Sequence, residues 1–198
     1  MDYYKAIEYF LEAIKENLSR VKREQIENFI EKIIEKQREG KKILIIGAGR
    51  SGLVGKSFAV RLMHLGCNTY VLGDIVTPPV GEGDLVIAIS GSGVTKLVAT
   101  AVQIAKEVGA EIVVITSFPD SPIGKAADLI IELGGRVVRP GKEDYFASQI
   151  LGIHEPLMPM GTLFEDSCMI LLDAIIADLM QRMGKTEEEM RMRHANIE

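Results

Sequence analysis

Apolar residues in the first 40 positions recur at the spacing of one helix face. They fall into two sets, from Ile7 to Leu18 and from Ile26 to Ile34, and each set advances in the three- and four-residue steps of an amphipathic helix. The glycine at position 40 supplies the left-handed turn that commonly ends a helix. Residues 1–40 are therefore predicted to form two helices that serve packing or oligomerisation.

Beyond residue 40 the chain alternates short apolar runs with longer helical patterns. The first run, at 43–46, is apolar on both faces, as expected for a strand of a covered parallel sheet. This rhythm predicts an α/β fold, with a single doubly wound, five-stranded parallel sheet ordered 2-1-3-4-5 and helices on both faces. The strands are expected near 43–46, 68–72, 84–90, 111–116 and 128–132, and the helices near 51–65, 93–108, 121–127 and 161–183.

The length of the chain bounds the number of domains. At 198 residues, against roughly 150 for a typical domain, we expect one domain, with its α/β core at 41–183 and a polar tail at 184–198. Ligands of such sheets bind beyond the carboxyl ends of the strands, so the loops that follow strands are the candidate site. The stretch 133–160 is long for a plain connection and is predicted to be a lid or an interface arm.

The charge balance narrows the choice of partners. Lys and Arg number 23 and Asp and Glu 28, which gives a net charge of −5 and argues against nucleic acid as a partner. The start of the chain is charged and no apolar run reaches the roughly 18 residues of a membrane span, so we expect a cytoplasmic protein. Cys67 and Cys168 lie far apart in apolar stretches and are predicted to be buried free thiols.

The loop after the first strand fits a dinucleotide fingerprint. Residues 47–52 read Gly-Ala-Gly-Arg-Ser-Gly at the start of a predicted helix, and Asp74 stands about where an acidic ribose ligand would lie. A dehydrogenase is therefore one alternative, and a glycine-rich turn needed only for close helix packing is another. The cation Arg50 at the tip of the loop disfavours the dehydrogenase.

The loop after the third strand suits a single phosphate better. Residues 90–95 read Ser-Gly-Ser-Gly-Val-Thr, so small residues expose backbone N–H groups and three hydroxyls stand at the start of a helix. The positive end of the helix dipole favours a dianion there. A Walker loop is excluded because no Gly-Lys-Ser/Thr follows. The simpler alternative is a plain helix cap.

Taken together, the two loops resemble those of the sugar isomerase (SIS) domain family, in which a Ser-x-Ser-x-x-Thr loop and the serine of the first loop bind a sugar phosphate. The resemblance extends over nearly the whole chain. Within the family, the segments 61–66, 159–165 and 193–196 are most similar to those of the 6-phospho-3-hexuloisomerases. The expected substrate- and phosphate-binding residues are Gly49, Arg50, Ser51, Ser90, Gly91, Ser92 and Thr95. For Arg50, an intersubunit salt bridge is the alternative to substrate binding.

This resemblance implies an isomerase that interconverts D-arabino-3-hexulose 6-phosphate and fructose 6-phosphate, needs no cofactor or metal, and assembles as a homotetramer. Such an enzyme belongs to the ribulose monophosphate pathway, in either direction. Since the phosphate loops do not report the length of the sugar, an aldose–ketose isomerase of the arabinose 5-phosphate or sedoheptulose 7-phosphate type is an alternative. A non-catalytic sugar-phosphate sensor is the alternative from another class.

Moving a carbonyl from C3 to C2 requires a proton transfer through a cis-enediol, and general acid–base groups contribute about 10²–10⁴-fold each to such steps. By its family counterpart, Glu165 is the base, placed early in the helix predicted at 161–183. The alternative is a charge that only complements the helix dipole. The adjacent Asp166 is expected to be a charge of that kind.

Two histidines complete the predicted catalytic set. His64 follows Ser51 on the same predicted helix by about 13 residues, which at 1.5 Å per residue is roughly 20 Å. We therefore expect His64 to enter the site of a neighbouring subunit, which makes the sites composite, unless it only caps its helix. His194 is expected to fold over the same pocket or another subunit's, with a disordered terminus as the alternative. His154 is expected to be exposed to solvent.

Overall fold

The structure of the protein, a computed structural model, describes residues 2–135 and 158–197. In chain order the strands are β1 (Lys42–Gly47), β2 (Asn68–Val71), β3 (Leu85–Ile89), β4 (Glu111–Thr116) and β5 (Leu129–Glu132). The helices are α1 (Tyr3–Ser19), α2 (Arg23–Arg38), α3 (Gly49–His64), α4 (Lys96–Glu107), α5 (Pro122–Ala126), α6 (Thr162–Arg182) and α7 (Glu187–Arg191). The strands form one parallel sheet in the order β2-β1-β3-β4-β5, which confirms the predicted fold class and order.

The direction of winding reverses between β1 and β3. The chain proceeds from β1 to β2 on one side and from β3 to β4 on the other, so the gap between β1 and β3 is the topological switch point of the sheet. The carboxyl ends of these two strands are level, because Gly47 pairs with Ile89. The loops at 47–52 and 90–95 therefore begin side by side.

Helices cover both faces of the sheet. On one face α2, α3 and α6 pack over side chains such as Ile45 and Ile87, while on the other α4 and α5 pack over Ile46 and Val86. Successive residues of a strand point to opposite faces, so each strand contributes to both cores. This arrangement explains why the predicted strands are apolar on both sides.

The N-terminal helices are present as predicted and lie against the longest helix. Both α1 and α2 contact α6, as does α3, so many of the apolar side chains of α6 are buried within this chain, while Ile170 stays exposed. A hydrogen bond of 2.9 Å from Asn17 Nδ2 to the Ser167 hydroxyl joins α1 to α6. The outer side of α1 keeps exposed apolar side chains, at Tyr3, Tyr4, Ile7 and Leu11.

The start of α4 differs from its prediction. A helix beginning near residue 93 was expected, but Gly93 adopts a left-handed φ of 67°, which a right-handed helix does not contain. The helix therefore begins at Lys96, and residues 90–95 form an open loop.

No helix or strand was predicted for the tail at 184–198 or for the stretch 133–160. The tail contains the short helix α7, which begins with a capping box formed by Thr186 and Glu189. The predicted lid or arm at 133–160, with His154 in it, falls mostly on residues 136–157, which lie outside the described residues.

Candidate active site

The loop after β1 runs directly into α3 with very little space. A Cβ on Gly47 would come within 2.9 Å of the Gly52 Cα, and one on Gly55 would come within 2.8 Å of the Ile45 Cγ2. Close packing of α3 against β1 therefore requires glycine at positions 47 and 55. Asp74, the acidic residue on which the dehydrogenase alternative depended, instead pairs with Lys56 at 3.1 Å.

The loop after β3 is shaped by its own hydrogen bonds. The Ser90 hydroxyl accepts from the Gly93 N–H at 3.2 Å and lies 3.4 Å from the Thr95 hydroxyl. The Ser92 hydroxyl accepts from the Val94 N–H at 3.4 Å. The Gly91 carbonyl accepts from the Ser117 N–H, in the loop after β4. A side chain at Gly93 would overlap the Ser121 hydroxyl. The predicted hydroxyls thus share one compact turn.

The three helices that follow β1, β3 and β5 and begin at this end of the sheet are α3, α4 and α6, and they lack a capping side chain. Their N-cap residues are Ala48 for α3, Thr95 for α4 and Gly161 for α6, and none makes a side-chain capping hydrogen bond. Side chains cap α1, α5 and α7, whereas α2, with Lys22 at its N-cap, also lacks a capping side chain. The first N–H groups of a helix need partners and attract anions. The starts of α3 and α4, on either side of the switch point, are therefore suited to hold a phosphate.

Glu165 lies in the first turn of α6 and faces the loop after β1. Its side chain is only 9% exposed, and Oε2 accepts from Arg50 Nε at 2.5 Å. Asp166 Oδ1 accepts from Nη2 of the same guanidinium at 3.2 Å. The hydrogen bond and charge of Glu165 raise the pKa of Arg50, so this group stays a cation. Arg50 thus has its ionic partners within its own chain.

The chain just before α6 is constrained. Met160 has a φ of 52°, a left-handed conformation that costs energy for a residue with a side chain. The Thr162 hydroxyl donates to the Pro159 carbonyl at 2.7 Å, and Gly135, after β5, approaches so closely that a Cβ there would lie 2.7 Å from the Phe164 Cα. These contacts fix where the first turn of α6 presents its carboxylates.

The two predicted histidines meet at the opposite end of α3. His64 is the last residue of α3 and is 4% exposed, and its ring centroid lies 5.2 Å from that of His194. Burial, followed by the charges of Arg61 and His194, lowers the pKa of His64. Arg50 is in the first turn of the same helix, roughly 20 Å away at 1.5 Å per residue. One chain therefore separates its histidines from Glu165.

A cavity of about 460 Å³ adjoins the loop at 90–95 on the side of β4. Ser117 and Asp120, which follow β4, line it together with Ser92 and Glu132 from the neighbouring strand ends. These residues at the ends of β4 and β5 are not among the predicted site residues. The rule that ligands bind beyond strand carboxyl ends would have included them, but no phosphate or fingerprint motif marks them.

Three further properties describe residues 2–135 and 158–197. None of their helices is both long and apolar enough to cross a membrane, and they contain no group of three or more acidic, His or Cys side chains placed to hold a metal ion. Both cysteines are buried free thiols, as predicted.

Comparison with known proteins identifies the family. Residues 37–135 match the SIS domain family, and a protein of Bacillus subtilis (strain 168) named 3-hexulose-6-phosphate isomerase is 40% identical over 98% of this chain and 100% of its own. The chain belongs to the SIS domain family. A Methylomonas aminofaciens protein with the same name as the Bacillus one is 38% identical over 96% of this chain and 98% of its own.

A solved structure agrees with this assignment to the SIS domain family. The crystal structure of a Methanococcus jannaschii protein, from which a molecular function of 3-hexulose-6-phosphate isomerase was inferred, has a TM-score of 0.76 and 35% identity. The match covers 95% of this chain and 98% of that one. The resemblance predicted from the two loops is thereby confirmed.

Proposed function

We propose that this SIS domain protein is a 3-hexulose-6-phosphate isomerase that interconverts D-arabino-3-hexulose 6-phosphate and fructose 6-phosphate. The observation that carries the proposal is a buried carboxylate, Glu165, held by Arg50 of the loop after β1, which begins at the switch point. Relatives matched over nearly their whole length bear the same activity in their names. We propose that the enzyme acts in the ribulose monophosphate pathway.

The phosphate is proposed to bind between the starts of α3 and α4. The hydroxyls of Ser90, Ser92 and Thr95 and the exposed backbone of Gly91 form one side, and the first turn of α3, with Gly49 and Ser51, forms the other. Both helix starts lack a capping side chain, so their N–H groups remain to meet the charge of a dianion. This placement leaves the carbonyl end of the sugar to extend toward α6.

Glu165 is proposed to move the proton between the two carbons. It takes the proton from C2 of the 3-ketose while the C3 oxygen gains a proton, which gives a cis-enediol. It then returns a proton to C3 as the C2 hydroxyl loses its own, so the carbonyl stands at C2. Every step is a proton transfer within one sugar, so the sequence of steps calls for no redox cofactor. Arg50, a fixed cation, is placed to donate to the substrate oxygens that become negative.

The histidines are proposed to act in a neighbouring subunit. Within one chain His64 and His194 lie at the far end of α3 from Glu165, so they reach a site of this kind only if a second copy supplies them. The outer face of α3 carries exposed apolar side chains, Leu53, Val60 and Met63, which suit contact with another chain. A homotetramer with composite sites follows from this proposal.

Proton NMR of fructose 6-phosphate in D₂O tests the proposed reaction. Wild-type protein is expected to place deuterium at C3 and to produce a 3-ketose without added metal or nucleotide. Glu165→Gln should slow the exchange by roughly 10²-fold or more, because a general base is lost. The matched control is Glu107→Gln, an exposed position on α4, which should leave the exchange unchanged.

The position of the label separates the alternatives. Deuterium at C1 alone would contradict the C2–C3 isomerisation and favour an aldose–ketose isomerase. Binding of fructose 6-phosphate with no exchange at any carbon would overturn the proposal for this sugar and favour a sensor or a different phosphosugar.

A further inference from the structure

The guanidinium of Arg50 is shared between two carboxylates that follow one another on α6. Nε reaches Glu165 Oε2 at 2.5 Å, and Nη2 reaches Asp166 Oδ1 at 3.2 Å. No other hydrogen bond to the Glu165 carboxylate occurs within residues 2–135 and 158–197. Glu165 therefore meets Arg50 through one oxygen only.

This single-oxygen contact is not the usual geometry. Arginine and carboxylate frequently pair through two parallel hydrogen bonds, which engage both carboxylate oxygens. Here the second arm of the fork is directed to Asp166, and Glu165 Oε1 has no hydrogen-bond partner among the described residues. A carboxylate engaged at both oxygens by a cation is a weaker base, since protonation must break a charge-assisted bond.

We infer that Asp166 is a positioning residue, which holds the second arm of Arg50 and so keeps one oxygen of Glu165 available to the substrate proton. This inference rests on the proposed role of Glu165 as the base. The Asp166 side chain is 39% exposed and that of Glu165 9%, so the two acids differ in what they can do. The Glu165 carboxylate is largely shielded from water, whereas Asp166 holds the guanidinium from a more exposed position.

Removing Asp166 should let Arg50 close on Glu165 with both arms. In Asp166→Ala, kcat is expected to fall roughly tenfold, a part of the 10²–10⁴-fold that a general base supplies, while KM changes little. The acidic limb of the kcat pH profile should move to lower pH. Asp166→Asn, whose amide oxygen still accepts from Nη2, should recover most of the activity. The matched control is Asp173→Ala, an exposed aspartate on the same helix, which should change neither quantity.

A second background tests whether Asp166 acts through Arg50. Lysine at position 50 keeps the charge but cannot form the two-armed contact, so adding Asp166→Ala to Arg50→Lys should change kcat by less than about twofold. An equal loss in both backgrounds, or an acidic limb that does not move, would overturn the inference.

The proposed base and its positioning residue fail in different ways. If Glu165→Gln keeps its activity, the proposed base is wrong. If Glu165→Gln is inactive and Asp166→Ala behaves as wild type, only the role of Asp166 is wrong.

Discussion

At the scale of single residues, His64 is a buried imidazole next to positive charge. Burial and the charges of Arg61 and His194 lower its pKa in the folded protein, whereas in the unfolded chain it titrates near 6.5. Below about pH 6.5 the unfolded chain therefore binds a proton that the folded protein still refuses, so the free energy of unfolding decreases as the pH falls through this window.

Replacement of His64 by asparagine should remove this dependence. The urea midpoint of the wild type is expected to decrease from pH 7.5 to pH 5.5. The decrease should be larger in the wild type than in His64→Asn, because only the wild type contains the buried imidazole. The measurement is chemical unfolding at the two pH values, followed by circular dichroism. An equal decrease in both proteins would contradict the assigned environment of His64.

Individual side chains were predictable as far as a motif marked them. Glu165, His64 and the hydroxyls of the loop at 90–95 stand in recognisable segments. The pairing of Arg50 with Glu165 joins residues 115 positions apart, and it depends on where α6 starts relative to α3. A local sequence pattern does not relate residues so far apart in the chain. The contacts of Arg50 with Glu165 and with Asp166 could therefore be seen only in the structure.

At the scale of elements, the turn after β3 depends on one backbone conformation. Gly93 combines a φ of 67° with a position where a Cβ would overlap Ser121. Gly40, after α2, has nearly the same φ of 66°, but a Cβ there meets nothing within 4 Å. The two glycines therefore separate the cost of the left-handed backbone from the cost of a clash.

Alanine at these two glycines should have unequal effects. Gly40→Ala is expected to lose about 1 kcal/mol of stability, the cost of a left-handed alanine, with normal activity. Gly93→Ala should lose roughly 3 kcal/mol or more because it adds a clash with a buried turn, and its KM for the phosphosugar should rise. Urea unfolding and initial rates provide both comparisons. Equal losses of stability would show that the clash at position 93 is relieved without cost.

The order of the strands could be predicted because apolar runs, helix-length spacers and right-handed crossovers restrict the topology strongly. The start of α4 could not, since the apolar pattern continues through residues that the left-handed Gly93 removes from the helix. The helix α7 was likewise missed, although its capping box, Thr186 with Glu189, is a readable signal.

At the scale of the whole molecule, α3 separates the two halves of the proposed chemistry. Its first turn carries Arg50 beside Glu165, and its last residue is His64, which lies against His194 from the tail. A rigid helix keeps these ends apart, so no motion of side chains within one chain unites them. The length of the predicted helix was enough to predict this separation between His64 and the first turn of α3. The arrangement of subunits that would bring the two ends together cannot be predicted from any local pattern.

Subunit exchange tests the composite site most directly. Glu165→Gln and His64→Ala should each be inactive alone, and random mixing at equal amounts should restore roughly one quarter of the wild-type activity, because that share of sites receives both intact residues. Mixing Glu165→Gln with the double variant Glu165→Gln/His64→Ala is the control and should restore none. Recovery near one quarter is the predicted result. No recovery, in oligomers shown by mass spectrometry to contain both chains, would contradict a site built from two subunits.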